Sequence, residues 1–347
     1  MNLRKITALA SIVILSLAMV LTGCQAAPSA TSAPTATTAP TTAPTSTTAP
    51  TPTASVTTDP GTTAAPTATA APTATTAPTK APTPKPTATP VPLSGTLISA
   101  GSTALQPLAQ QAATEFMALH SLVSVTVNGG GSGSGLSQVN SGAIDIGNSD
   151  VYASEKLPAD AADTLVDHKV CVVGFATVLN PGVTGVTSLT QAQLISIFTG
   201  VTTNWNAVGG PDLAIVIINR PASSGTRFTY DKYALNGAVE ATGIALTEDS
   251  SGTVRSTVAS TPGAISYLAF SYLDATVTAI GFNGIAPTAD NVKNGTYKIW
   301  SFEHMYTKGT PSTLEQAFLN YMVSTTFAPQ IIALKYIPIS QMTVLTH

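Results

Sequence analysis

Residues 214–226 read Ala214-Ile215-Val216-Ile217-Ile218-Asn219-Arg220-Pro221-Ala222-Ser223-Ser224-Gly225-Thr226. The apolar, largely β-branched run at 214–218 reads as a buried strand. A helix pattern begins near Ser224, whose hydroxyl suits an N-cap. Between them lies a short loop carrying one arginine, small hydroxyl residues and a glycine. A strand that feeds a helix through such a loop is the repeating unit of an α/β sheet. In open sheets of this kind, ligands sit at the carboxyl ends of the strands.

Outward from this stretch the unit recurs. Residues 95–99 read as a strand, followed by a helix with Leu105, Leu108, Ala112, Phe116 and Leu119 on one face. Pro107 fits there only because it falls in the first turn. Residues 122–127 form a β-branched strand, followed by a glycine-rich loop and a short helix ending near Gly142. Strands are predicted at 144–147 and 170–179, and a helix at 191–198 capped by Thr190. Further helices start near Ser251 and Ser312. The alternation predicts α/β architecture with largely parallel sheets.

Three strand-to-helix junctions share one chemistry. They are Gly101-Ser102-Thr103-Ala104, then Gly129-Gly130-Gly131-Ser132-Gly133-Ser134-Gly135, then Arg220 to Thr226. Free backbone N–H groups at a helix N-terminus, together with the helix dipole, favour an anion. Hydroxyls add neutral donors, and glycine lets an anion approach the backbone. One such junction is explained by capping alone; three in one chain, one with an arginine, point to a converging site. Arg220 could grip two oxygens of a tetrahedral anion. Gly147-Asn148-Ser149-Asp150 ends another strand, and an acidic residue there makes sense if the anion carries a proton. A carboxylate accepts a hydrogen bond from monohydrogen phosphate, whereas sulfate offers none near neutral pH.

The N-terminus has a different purpose. Arg4 and Lys5 precede an apolar run from 6 to 21, closed by Leu21-Thr22-Gly23-Cys24. This is the layout of a secretory leader. Residues 1–24 are expected to be a lipoprotein signal, with Cys24 the lipidated new N-terminus. Each buried acyl methylene would contribute about 0.8 kcal/mol of membrane affinity. The remaining cysteine, Cys171, then has no disulfide partner, and its apolar surroundings predict a buried, inert thiol. Residues 25–93 hold 15 of the 25 prolines among Ala, Thr and Ser, so no core can form there and an extended, disordered linker is expected. The rest, 94–347, carries 10 Lys and Arg against 16 Asp and Glu, a net charge of −6. Nucleic acid is therefore not an expected partner, and any bound anion must be held by local donors.

The loops resemble those of the phosphate-binding lipoproteins of ABC phosphate importers, a branch of the two-lobed periplasmic-binding-protein superfamily. The likeness spans 94–347. It includes Ile197-Phe198-Thr199-Gly200, Asn204-Trp205, Gly209-Gly210, Ser251-Gly252-Thr253-Val254 and Thr261-Pro262-Gly263-Ala264-Ile265-Ser266-Tyr267. The resemblance implies phosphate contacts from Thr103, the Ala104 backbone, Ser132, Asp150 as acceptor, Arg220, Ser224, Gly225 and Thr226. Ser102 and Ser134 are further candidates. It also implies two α/β lobes around a ligand cleft, lobe I at about 94–178 and 270–347 and lobe II at about 179–269. The first crossing is expected near 178–181 and the return near 266–272.

The implied role is an extracytoplasmic, membrane-anchored solute-binding protein, expected as a monomer, that hands inorganic phosphate to the importer's permease subunits. No cofactor, metal or catalytic residue is expected. A phosphatase or serine hydrolase would need a base beside its nucleophile, and His120, His168, His304 and His347 all lie outside the anion loops. The remaining alternatives are a surface phosphate sensor retaining the same site and another oxyanion-binding lipoprotein.

Overall fold

The computed structural model describes residues 92–347. The readings of the leader, of Cys24 and of all but the last two linker residues lie outside the described residues. The described residues all fall in one compact unit.

The elements in chain order are β1 (Ser94–Gly101), α1 (Gln106–Leu119), β2 (Leu122–Asn128), α2 (Ser132–Ser141), β3 (Ile146–Ser149), α3 (Ala159–Ala162) and β4 (Leu165–Leu179). Next come β5 (Ser188–Leu189), α4 (Gln191–Phe198), β6 (Val216–Asn219), α5 (Gly225–Tyr233), β7 (Leu246–Thr247) and α6 (Ser251–Ser260). The chain closes with β8 (Ala264–Ala269), β9 (Thr278–Phe282), α7 (Ala289–Lys293), β10 (Trp300–Lys308), α8 (Thr313–Met322) and α9 (Ala328–Ala333).

The α/β class is as expected, but the sheet is mixed rather than largely parallel. Its path runs β2-β1-β3-β10-β4-β8-β6-β7, with β9 on β4 and β5 on β9. The flanks are parallel: β1 with β2 and β3, and β6 with β7 and β8. The middle is antiparallel, because β10 opposes β3 and β4, and β4 opposes β8 and β9. Parallel order follows where a helix carries the chain back between neighbouring strands. The central strands instead run from one flank toward the other. Residues 165–174 of β4 pair with β10, whereas residues 175–179 pair with β8 and β9. One strand thus serves two halves of the sheet. The return expected near 266–272 meets a fuller pairing: β9, beyond that point, still bonds to β4 at 177–179.

Local signals explain the element ends. Thr190 caps α4 through a capping box with Gln193, and Ser224 accepts from the Arg227 N–H at 3.1 Å to cap α5. Gly142 ends α2 in the left-handed conformation. Three expectations need correction. Leu119 is 63% exposed, since α1 ends there and its last turn passes beyond the core that holds Leu105, Leu108, Ala112 and Phe116. The strand predicted at 144–147 begins at Ile146, because the Asp145 carboxylate takes the Ile98 N–H at 2.7 Å. The strand predicted from Ala214 begins at Val216; Ala214 is exposed at an isolated bridge to Asn204.

Candidate anion-binding site

Glycine packing sets up the site. Gly131, at φ 84°, turns the chain from β2 into α2 in a conformation that side chains with a Cβ avoid. Gly135, one turn on, lies so close to Gly101 that a Cβ would sit 2.7 Å from its Cα. The helix therefore presses onto β1 and β3, and the fully buried Ser132 hydroxyl accepts the Asp150 N–H at 3.0 Å.

Asp150 follows β3 and is 1% exposed. Its Oδ1 accepts a hydrogen bond from the Ser102 hydroxyl in the β1–α1 loop. Its Oδ2 accepts from the Thr226 hydroxyl at 2.8 Å, and Thr226 sits in the first turn of α5 on the other sheet half. Ser102 Oγ also accepts from the Ala104 and Leu105 N–H groups, each at 3.0 Å.

Arg220, at the end of β6, is 1% exposed. Its Nη2 donates to Thr103 Oγ1 at 3.2 Å and to the Asp249 carbonyl at 3.0 Å, and Nη1 reaches Ser251 Oγ at 3.5 Å. Its Nε has no partner among the described residues. Burial draws the guanidinium below its ordinary value, while Tyr267, Asp150 and Asp249 pull the other way. The Arg220 carbonyl accepts from Arg227 Nη1 at 2.6 Å. Arg227 is itself held by Asp231 at 3.4 Å and by the buried Glu240 at 3.5 Å. Burial and the Asp231 charge push the Glu240 carboxyl up to about 8.

The two sheet halves meet here. Besides the Arg220–Thr103 and Thr226–Asp150 bonds, the Gly133 N–H donates to the Ser223 carbonyl at 2.9 Å. Lys156 Nζ donates to the carbonyls of Ala222 and Ser224 at 2.8 and 3.2 Å. The result is a buried cluster of one guanidinium, one carboxylate and several hydroxyls, with the N-termini of α2 and α5 facing it. Such a cluster can grip a small tetrahedral oxyanion through neutral and cationic donors while one carboxylate accepts a proton from it.

The structure brings together Ser102, Thr103, Ala104, Ser132, Asp150, Arg220, Gly225 and Thr226. Ser224 is buried beside them, with its oxygen engaged as the α5 cap. Ser134 is not in the cluster: it is half-buried, and its Oγ accepts from Gln138 one turn further along α2. Sequence reasoning missed Ser251, which bonds Thr103 across the site with 3.0 Å between hydroxyls. Its signal was a fourth hydroxyl-led junction, from β7 into α6. Tyr272 and Tyr336 were also missed; their hydroxyls donate to the Thr103 and Ala104 carbonyls and pin the first loop. Neither carries a local signal.

The other quoted motifs hold architecture. The buried Trp205 indole donates to the Gly263 carbonyl at 2.9 Å, and Asn204 Oδ1 accepts from Asn206 and Leu213 N–H groups. Cys171 is buried, and burial pushes its thiol up. His304 Nδ1 pairs with Asp167 at 2.7 Å. Among the described residues no group of His, Cys, Asp and Glu is arranged to hold a metal ion, and no helix is long and apolar enough to cross a membrane.

The mixed α/β sheet and its buried polar cluster have the plan of a solute-binding protein, and residues 33–326 match the profile described as a PBP superfamily domain. The chain belongs to the PBP superfamily. It is 50% identical over 253 residues to the phosphate-binding protein PstS of Bacillus subtilis (strain 168), covering 72% of this chain and 83% of that one. Among solved structures it is similar to a Clostridium perfringens protein described as a phosphate ABC transporter substrate-binding protein, with phosphate bound. That likeness has 27% identity and a TM-score of 0.66, over 71% of this chain and all of the other. An ABC-type phosphate transport receptor from Vibrio cholerae is 28% identical, with a TM-score of 0.57 over 70% of this chain and 99% of its own.

Proposed function

We propose that this chain captures inorganic phosphate outside the cytoplasm and delivers it to an ABC importer. What carries the reading is the buried constellation of Arg220, Thr103, Ser132, Thr226 and Asp150, on a chain half identical to a phosphate-binding protein. Arg220 supplies the charge for two phosphate oxygens. The hydroxyls of Thr103 and Ser132 and the first N–H group of α5, at Gly225, donate to the others; the Ala104 N–H and the Thr226 hydroxyl, which in this structure donate to Ser102 Oγ and Asp150 Oδ2, turn to phosphate when it binds. Ser224 shapes the α5 end, and Ser102 steers Asp150. Asp150 accepts the phosphate proton, an interaction sulfate cannot return.

The role is capture rather than turnover. None of the hydroxyls named here has a histidine partner among the described hydrogen bonds, and the one carboxylate that Ser102 and Thr226 meet, Asp150, is assigned here to the phosphate proton. Capture proceeds between two lobes, about 94–178 with 270–347 and about 179–269, and within the first β9 stays tied to the second through its pairing with β5 at 188–189. The protein acts as a monomer, held at the membrane through lipid on Cys24. Calorimetric titration with phosphate and, separately, sulfate is expected to show saturable, one-to-one binding of phosphate alone. Equal binding of both anions, or of neither, would refute the proposal.

A further inference from the structure

Glu303 is a carboxyl that the phosphate reading leaves without a task. It lies on β10, is 0% exposed, and has no hydrogen-bond donor on either oxygen among the described residues. A β-bulge falls between Glu303 and His304, where β10 crosses from pairing Cys171 to pairing Lys169. Bulges re-aim side chains, and the adjacent His304 pairs with Ser149, the residue before Asp150. Glu303 precedes His304 and Asp150 follows Ser149, so the antiparallel register sets Glu303 next to Asp150, whose charge acts on it.

The groups around Glu303 offer it no counter-charge. From β4 it faces the Cys171 thiol, and from the segments after β8 and α9 the Tyr272 and Tyr336 phenols. Both phenols spend their protons on backbone carbonyls of the first loop. An ionised Glu303 would therefore be a dry, uncompensated charge beside a second carboxylate. Burial first, and then Asp150, push its carboxyl well above the usual carboxylate range.

We propose that Glu303 holds its proton and donates it in a hydrogen bond to Asp150, so that the two carboxyls carry a single negative charge and Glu303 positions Asp150 as the site's acceptor. This rests on the phosphate reading of Asp150 given above. The pair explains how a second acid can stand next to an anion site: it adds a donor there and no charge. It also sets an alkaline limit, because ionising Glu303 would place two negative charges beside the bound anion.

The test compares the purified protein with Glu303→Gln and Glu303→Leu, by infrared spectroscopy without ligand and by phosphate titration across pH. The difference spectrum between wild type and either variant is expected to contain the carbonyl band of a protonated carboxylic acid at neutral pH. Glutamine keeps a neutral donor, so its phosphate affinity at neutral pH should stay within about twofold of wild type and decline less at alkaline pH. Leucine removes the donor and should weaken binding about tenfold or more. Absence of the acid band would overturn the proposal, and so would Glu303→Gln binding phosphate about tenfold more tightly at neutral pH, the sign that a negative charge had been removed. The band needs no ligand. Failure of phosphate binding in wild type would thus count against the transport reading and leave the protonation of Glu303 decided separately.

Discussion

Gly225→Ala tests whether the two sheet halves meet at the site as described. Gly225 is the first residue of α5, and its φ is not in the left-handed region, so an alanine there incurs no backbone strain. The added methyl would lie 2.9 Å from Ser132 Cβ and 3.0 Å from Asp150 Cβ, and inside contact distance of Ser132 Oγ. Carbon atoms rest at about 3.5–4.0 Å, so the α5 end must retreat from α2 and Asp150 by at least about half an ångström. Overpacking of this kind costs about 1–3 kcal/mol. Ser132 and Asp150 belong to one half and Gly225 to the other, so on the two-lobed capture proposed above the cost falls on the arrangement that holds the ligand. Phosphate Kd should rise about 5- to 150-fold. Thermal stability without phosphate should hold or improve, since alanine is the better helix former. Gly252→Ala, at the start of α6, is the control: its nearest neighbour would be Ser250 Oγ at 3.9 Å, and affinity should not change. Calorimetry and a thermal melt read both quantities. Wild-type affinity in Gly225→Ala would refute the claim that phosphate is held with these loops in contact.

Arg220→Ala should lose about 2–5 kcal/mol of phosphate binding, the cost of truncating a buried, charge-assisted contact; unchanged affinity by titration would remove Arg220 from the site. Asp150→Asn should raise sulfate affinity far more than it alters phosphate affinity, because an amide can donate where the carboxylate only accepts. A phosphate-over-sulfate preference that survives in paired titrations would rule Asp150 out as discriminator. Glu240 ionises near 4.5 in the unfolded chain but only at about 8 in the fold. The unfolded state therefore binds fewer protons across that window, and stability falls as pH rises through it. Glu240→Gln should flatten that decline in thermal melts, and an identical slope would show that other groups cause it. Cys24→Ser should abolish lipid attachment and release the protein from membranes, read by fractionation and mass spectrometry; a wild-type mature N-terminus elsewhere would refute the anchor.

What the sequence disclosed was local. Thr190 and Ser224 announce their helices because a cap is written within four residues. The three loops were legible because each concentrates its signal in one short run. The mixed pairing of the sheet was not, because nothing in residues 300–308 says that this strand will lie between β3 and β4. The same holds for single residues. Ser251 meets Thr103 across 148 positions, and Tyr336 reaches Ala104 across 232. Nothing in the sequence around Glu303 shows that the fold buries it next to Asp150. Ala214 and Leu119 failed in the opposite direction: apolar periodicity continues past the point where the element leaves the core, and only tertiary packing marks that point.

The burial of Arg220 with its hydroxyl partners has a consequence for the medium in which the protein works. Dissolved ions weaken forces between charges that water separates, over about 10 Å at 0.1 M salt, and reach an enclosed contact far less. On the phosphate reading proposed above, a guanidinium and hydroxyls shut away from solvent would hold their anion almost equally well in dilute and in briny surroundings. Arrival is another matter. Residues 94–347 carry a net charge of −6, which repels an incoming anion at long range until salt screens it. Raising ionic strength should therefore speed capture and leave release nearly unchanged. A binder built on this plan tightens modestly as its surroundings become saltier, the opposite of one that gathers anions with an exposed positive field.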